Sequence, residues 1–121
     1  MNEMNNMGAV ESRFADIVWA NAPVRSGDLV KICEAELNWK KPTTYTVLRR
    51  LCERGLFRND NGTVDAVVKR EEYYAAKTDN VINEGFHGSL PAFISAFVST
   101  GRISKKDAEE IQSIINAYKE S

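Results

Sequence analysis

The dipeptide Asn61-Gly62 does most to narrow what this chain can fold into. Asn-Gly tolerates the positive φ angles of a two-residue turn, so between strand-like flanks it is the strongest short-range hairpin signal. The flanks are present: Leu56-Phe57-Arg58 precedes the dipeptide, and Thr63-Val64-Asp65-Ala66-Val67-Val68 follows. The residues before it have a different period. Val10, Phe14, Ile17 and Val18 make one helical stripe, which Asn21-Ala22-Pro23 ends. Ser26 is a good N-cap for a second helix with Asp28 in its first turn, Leu29, Ile32, Cys33 and Leu37 as its buried face, and an end near Asn38. A third helix is expected from Pro42 to Arg54, with Thr44, Val47, Leu48 and Leu51 facing inward and Gly55 at the left-handed position after its end. Three helices followed by a hairpin is the order of a winged helix-turn-helix.

Beyond Lys69-Arg70 the pattern is helical again, with Tyr73, Tyr74, Ala76, Val81 and Ile82 as candidate buried residues up to the Gly85–Gly88 interruption. A short apolar run from Leu90 to Val98 follows, and a last helix opens at Ser104 with a capping-box-like start and carries Ala108, Ile111, Ile114, Ile115 and Tyr118 on one stripe. With 121 residues, the chain is one domain's worth plus a small appendage. Three short amphipathic helices cannot close a core alone, so their apolar faces need a cover. The expected fold is mostly α with a small β-hairpin wing: a winged helix-turn-helix DNA-binding domain over 7–77 and a C-terminal helical dimerisation region over 78–121. Phe93, Ile94, Phe97, Ile111, Ile114, Ile115 and Tyr118 are the expected dimer contacts.

Charge bears on the partner. Sixteen Lys and Arg against seventeen Asp and Glu give a net charge of −1, which by itself speaks against a polyanion. Mapped along the chain the balance is uneven. Lys40, Lys41, Arg49, Arg50, Arg54 and Arg58 are opposed between Asn38 and Arg58 only by Glu53, whereas 71–121 carries five basic against eight acidic side chains. The basic stretch coincides with the third helix. At 100° per residue, Thr43, Thr46 and Arg50 fall on one line with Tyr45 and Arg49 beside it, opposite the inward stripe. Short hydroxyl side chains near a helix start permit close approach to DNA, and arginines pair with phosphate or fork onto guanine. Lys40, Lys41, Thr43, Tyr45, Thr46, Arg49, Arg50 and Arg58 are therefore the candidate DNA-binding residues.

The third-helix motif Trp39-x-x-x-Thr43-x-x-Thr46-x-x-x-Arg50-Leu51, followed by Gly55, resembles the recognition helix of the penicillinase-repressor family, the bacterial repressors of beta-lactamase and methicillin-resistance genes. Glu11 with Ile17-Val18-Trp19, Arg70-Glu71-Glu72-Tyr73 and Gly88-Ser89-Leu90 before Phe93 and Phe97 fit the same family. The resemblance implies a homodimeric transcriptional repressor that binds a palindromic double-stranded operator through helix 3 in the major groove, with Thr43, Thr46 and Arg50 on DNA. It also implies, for members that a membrane sensor-protease system inactivates by cleavage, a bond at Ala96-Phe97 where the family has Asn-Phe. Lys40 stands where the family usually has Ser or Thr, and Thr63-Val64-Asp65-Ala66 replaces its basic and aromatic wing residues. The C-terminal cysteine motif of a copper-responsive branch is missing here.

Other features carry less. Cys33 and Cys52 stand singly among apolar residues and read as small buried hydrophobes. Trp39 is expected to anchor the turn before the third helix and Trp19 to close the first helix against the hairpin. His87, the single histidine, has no second ligand nearby, so no metal and no cofactor are expected. Glu71-Glu72 and Glu109-Glu110 look like solvated helix faces, and no nucleophile has a base and an orienting partner, so the chain does not read as an enzyme. Without a membrane span, or a basic region before an apolar one at Met1–Met7, no membrane insertion and a cytoplasmic location are expected. The alternative is a winged-helix protein-interaction module without sequence-specific DNA binding.

Overall fold

The computed structural model describes residues 7–121. The stretch Met1–Met7, read above for a targeting signal, lies almost wholly outside them. The elements are α1 (Ala9–Asn21), β1 (Val24–Arg25), α2 (Ser26–Leu37), α3 (Lys41–Glu53), β2 (Phe57–Asp60), β3 (Thr63–Ala66), α4 (Arg70–Phe86), α5 (Leu90–Ser99) and α6 (Lys105–Glu120). Two compact units divide the chain, one running to Thr78 and the other covering Asp79–Ser121. The fold is a winged helix followed by C-terminal helices.

In the first unit, α1, α2 and α3 wrap a core that the hairpin completes. Phe14, Val18, Leu29, Cys33, Leu48, Leu51, Leu56, Phe57, Val64 and Tyr73 are all buried in it. Pro42 sits in the first turn of α3, where a missing N–H costs nothing. At the other end Gly55 takes φ +86. Its N–H donates to the Cys52 carbonyl, and the Leu56 N–H donates to the Leu51 carbonyl at 3.1 Å. These are the two bonds of a Schellman stop, with Leu51 and Leu56 both buried as its apolar pair. Asn61 and Gly62 both have positive φ, as a type I′ turn requires. Trp19 Nε1 donates to the Val68 carbonyl at 2.9 Å, and its ring meets Phe57 edge-on at 5.4 Å, so α1 is closed against the hairpin as expected. Trp39 stacks on Phe14 at 5.5 Å and anchors the turn into α3.

The structure departs from the sequence expectations at several places. The sheet has three strands in the order β1-β3-β2. Val24 and Arg25 pair with Val64 and Thr63, while β2 pairs with β3 from Phe57↔Ala66 to Asp60↔Thr63. Two residues are too few for a periodic signal, so β1 leaves no trace in the pattern. Ser26 is the first residue of α2, with Arg25 at the cap position, and its hydroxyl serves another purpose described below. Helix α3 starts at Lys41 and ends at Glu53, one residue earlier at each end than expected. Val10 lies on the correct face of α1 yet is exposed, because it precedes by a turn the point where the core begins at Phe14. Val81 is also exposed, while Tyr73 and Ile82 are buried.

The second unit comprises the end of α4 with α5 and α6. Ser89 caps α5 by accepting from the Ala92 N–H at 3.1 Å. Ser104 and Asp107 form a reciprocal capping box on α6. Phe93 packs edge-on to Phe86 at 5.5 Å and lies 4.6 Å from Phe97. Neither α5 nor α6 contributes a fully buried residue.

The first unit rests on α3's inner face. Leu51→Ala empties a fully buried site and should cost about 2–5 kcal/mol of stability. Urea unfolding followed by circular dichroism measures this; a loss below about 1 kcal/mol would place Leu51 outside the cooperative core.

Candidate nucleic-acid interface

The inner stripe of α3 (Thr44, Val47, Leu48 and Leu51) is buried. Helical periodicity then fixes which residues face solvent: Lys41, Thr43, Thr46, Arg49 and Arg50 are exposed, with Lys40 exposed at the cap position before them. Thr46 Oγ1 donates to the Pro42 carbonyl at 2.9 Å, so its hydroxyl is turned back on the helix. The α3 face thus combines small side chains at its start with arginines further along.

Tyr45 does not share this openness. It is half-buried against the core, and its hydroxyl donates to Ser26 Oγ at 3.1 Å. The Ser26 N–H donates in turn to the Gly62 carbonyl at 2.8 Å. Ser26 therefore ties one flank of α3 to the tip of the hairpin. Between α3 and β2 lies a shallow hollow of about 210 Å³, lined by Tyr45, Leu48, Arg49, Cys52 and Asn59. Burial pushes the Cys52 thiol up, outweighing a backbone hydrogen bond at Asn59, so it stays neutral near neutral pH. Cys33 and Cys52 are both free thiols, the first buried and the second half-buried.

Arg58 is exposed on β2. Strand alternation turns it away from the side on which Phe57 is buried and Asn59 lines the hollow, so it stands apart from the α3 arginines. Instead the structure brings in Arg25, which sequence reasoning missed. Arg25 is exposed on β1, and its Nη1 donates to Thr63 Oγ1 at 3.2 Å. An added Cβ on Gly62 would lie 3.5 Å from its guanidinium. Arg25 is thus the basic side chain at the wing tip. Its only sequence signal was a positive charge just before a helix start, which says nothing without the hairpin register.

On the opposite flank α3 meets α1. Glu11 Oε2 lies 3.2 Å from Arg50 Nη1, and Glu11 Oε1 lies 3.6 Å from Arg54 Nη1. The same carboxylate accepts the Gly8 N–H at 3.2 Å, closing the first turn of α1. Burial works to raise the Glu11 pKa, but the Gly8 hydrogen bond and the two arginines outweigh it and hold it below the usual 4.5. Among the described residues no group of acidic, His or Cys side chains could hold a metal ion. No described helix is long and apolar enough to cross a membrane.

A carboxylate whose pKa is lowered by folding stabilises the fold above the ordinary carboxylate range and loses that contribution as pH falls through its folded value. Wild type should therefore exceed Glu11→Gln in stability near pH 7, and the gap should shrink as pH falls below the usual carboxylate range and through the lowered folded pKa. Thermal melts of the two proteins across that range check this; a gap that does not change with pH would show that ionised Glu11 adds nothing.

A search of curated proteins finds no significant match. The family model described as penicillinase repressor matches residues 7–117, a span that takes in the winged helix and nearly all of α6. The chain belongs to the penicillinase repressor family, a family of transcriptional repressors.

Proposed function

We propose that the chain is a homodimeric repressor of bacterial promoters, with each winged helix, residues 7–77, placing α3 in the major groove of one half of a palindromic operator. The observation that carries this reading is the two-sided character of α3: Thr44, Val47, Leu48 and Leu51 lock one side into the core while Thr43, Thr46, Arg49 and Arg50 are exposed together on the other. That side has the length and charge of a major-groove reader. Lys40 and Lys41 at the start of α3 and Arg25 at the wing tip are placed to meet phosphates. Arg58 contributes through the long-range potential and Tyr45 by buttressing α3. Occupying promoter DNA excludes polymerase.

Dimerisation falls to the region 78–121. Within its own unit, α5 and α6 leave Val98 60%, Ile114 67%, Ile115 48% and Tyr118 78% exposed. Phe93, Ile94, Phe97 and Ile111 line an open groove of about 390 Å³. A soluble chain does not leave so contiguous an apolar surface bare, and the same surface on a second copy covers it. Induction by a membrane sensor-protease system belongs to the same reading. The bond Ala96-Phe97 lies within α5, near its last turn, where a protease reaches it only after local opening of the helix. The site of action is the cytoplasm.

In vitro selection from a random duplex pool tests the reading. The wild-type chain should enrich a dyad-symmetric sequence, and log K should fall by roughly 0.9 per phosphate neutralised as log salt rises. Arg50→Ala should weaken binding to that duplex by about 1–3 kcal/mol and relax one base position in each half-site. Enrichment of no sequence, with salt-insensitive binding to a protein partner instead, would favour an interaction module. Sedimentation at micromolar concentration should give a dimer, and Ile114→Asp should return the monomer; a wild-type monomer would rule out two coupled half-sites.

A further inference from the structure

The Glu11 carboxylate is an unusual group to find beside a proposed phosphate-binding face. A negative charge there repels DNA, and a helix cap by itself does not require it to reach a neighbouring helix. Yet its two oxygens are shared among three donors from two elements. The Gly8 N–H at 3.2 Å fixes the carboxylate to the start of α1. Arg50 on α3 at 3.2 Å and Arg54, the residue that caps its end, at 3.6 Å, approach one turn apart from the other side. The Glu11 side chain is only 17% exposed, whereas that of Arg50 is 50% exposed. The acid is thus held in place at the rim of the proposed interface, and the arginine it grips is the more accessible partner.

We infer that Glu11 is a positioning residue for operator discrimination, one that holds the Arg50 guanidinium in a single orientation and lowers the attraction of this face for DNA of any sequence. The inference rests on α3 being the DNA reader, as proposed above. A guanidinium has five N–H donors, and one directed at Glu11 leaves the remaining fork for a base edge. Without that hold, the long side chain of Arg50 is free to follow whichever phosphate is near, which adds affinity without information. The charge acts in the same direction. Ionised Glu11 offsets one of the two arginines it touches, so random DNA meets a face with one fewer net positive charge. A correct base edge, which engages a forked donor at short range, loses less from that offset than diffuse phosphate attraction does. Glu11 thereby separates the two modes of binding.

The test compares full-length wild type, Glu11→Gln, Glu11→Asp, Arg50→Ala and the Glu11→Gln/Arg50→Ala double variant. Each is titrated against the duplex enriched by wild type and against a random-sequence duplex of the same length, over a range of salt, with thermal melts of every protein. Glu11→Gln should bind the random duplex more tightly, with a steeper salt dependence, and its enriched-to-random ratio should fall about 5- to 10-fold. Glu11→Asp keeps the charge but shortens the reach. It should lose ratio without gaining random affinity, and it carries the test if the glutamine variant fails to fold. In the Arg50→Ala background only the charge offset remains, so Glu11→Gln should lower the ratio by much less than it does in the wild-type background. Weakening of both duplexes alike with a lower melting temperature would mean that Glu11 only braces the fold, and an equal drop in ratio with and without Arg50 would mean it does not act through that residue. Either result overturns the inference while leaving the repressor reading intact. A wild-type chain that enriched no sequence would overturn both.

Discussion

The burial of one side of α3 governs the first unit. Thr44, Val47, Leu48 and Leu51 leave solvent together, and fully burying an aliphatic side chain of this size contributes about 1.5–3 kcal/mol. No polar contact of the helix approaches that sum, so the core decides where α3 lies and therefore which residues face outward. The helix is also closed at a defined point. Gly55 and Leu56 complete the Schellman stop, and because the buried Leu56 directly precedes β2, the end of α3 and the start of the wing are set by one event. Helix and wing are consequently parts of one packed object.

The polar contacts along α3 then have a secondary role that follows from their size. A neutral hydrogen bond contributes about 1 kcal/mol and an exposed ion pair about 0–1 kcal/mol. On one flank Tyr45, Ser26 and Gly62 form a chain of two hydrogen bonds that couples α3 to the wing tip. On the other flank Glu11 couples it to α1 through Arg50 and Arg54. Neither link is strong enough to hold a helix in place. Both are strong enough to choose among side-chain rotamers that differ by amounts of the same order. The core positions the backbone of the candidate interface, and in the reading proposed above the flanks position its side chains.

This hierarchy explains what could be read from the sequence. Helical stripes, the Gly55 stop and the Asn61-Gly62 turn are local signals, and each of them appears in the structure where the pattern put it to within about a residue. What failed depended on tertiary partners. Strand β1 exists because Val24 and Arg25 reach β3. Ser26 reads as a cap until Tyr45 and Gly62 are seen to use its hydroxyl and its N–H. Val10 has the right period but lies beyond the core's edge. On the outer side of α3, helical rotation grouped Thr43, Thr46, Arg49 and Arg50, which are all exposed, since that needs only 100° per residue. It could not show that Tyr45 is packed, that Arg58 faces elsewhere, or that Glu11 lies 39 residues before the arginine it grips.

The two units differ in how complete they are. The described residues up to Thr78 bury aromatic or aliphatic side chains on every helix, whereas among the described residues after Thr78 only Ile82 is buried. The charges lean the same way. The basic stretch around α3 belongs to the first unit, and four basic against six acidic side chains lie in 79–121. An acidic surface with bare apolar stripes is poorly suited to DNA and well suited to another apolar surface. In the proposed dimer its folding free energy and its association free energy are then the same quantity, because the core of the second unit closes only on contact. In that proposed dimer such a unit would respond to concentration and to cleavage in a way that a finished domain does not. Loss of the cover would leave each winged helix folded but alone, with a single α3 to hold its half of a palindrome and no partner to raise its effective concentration at the other.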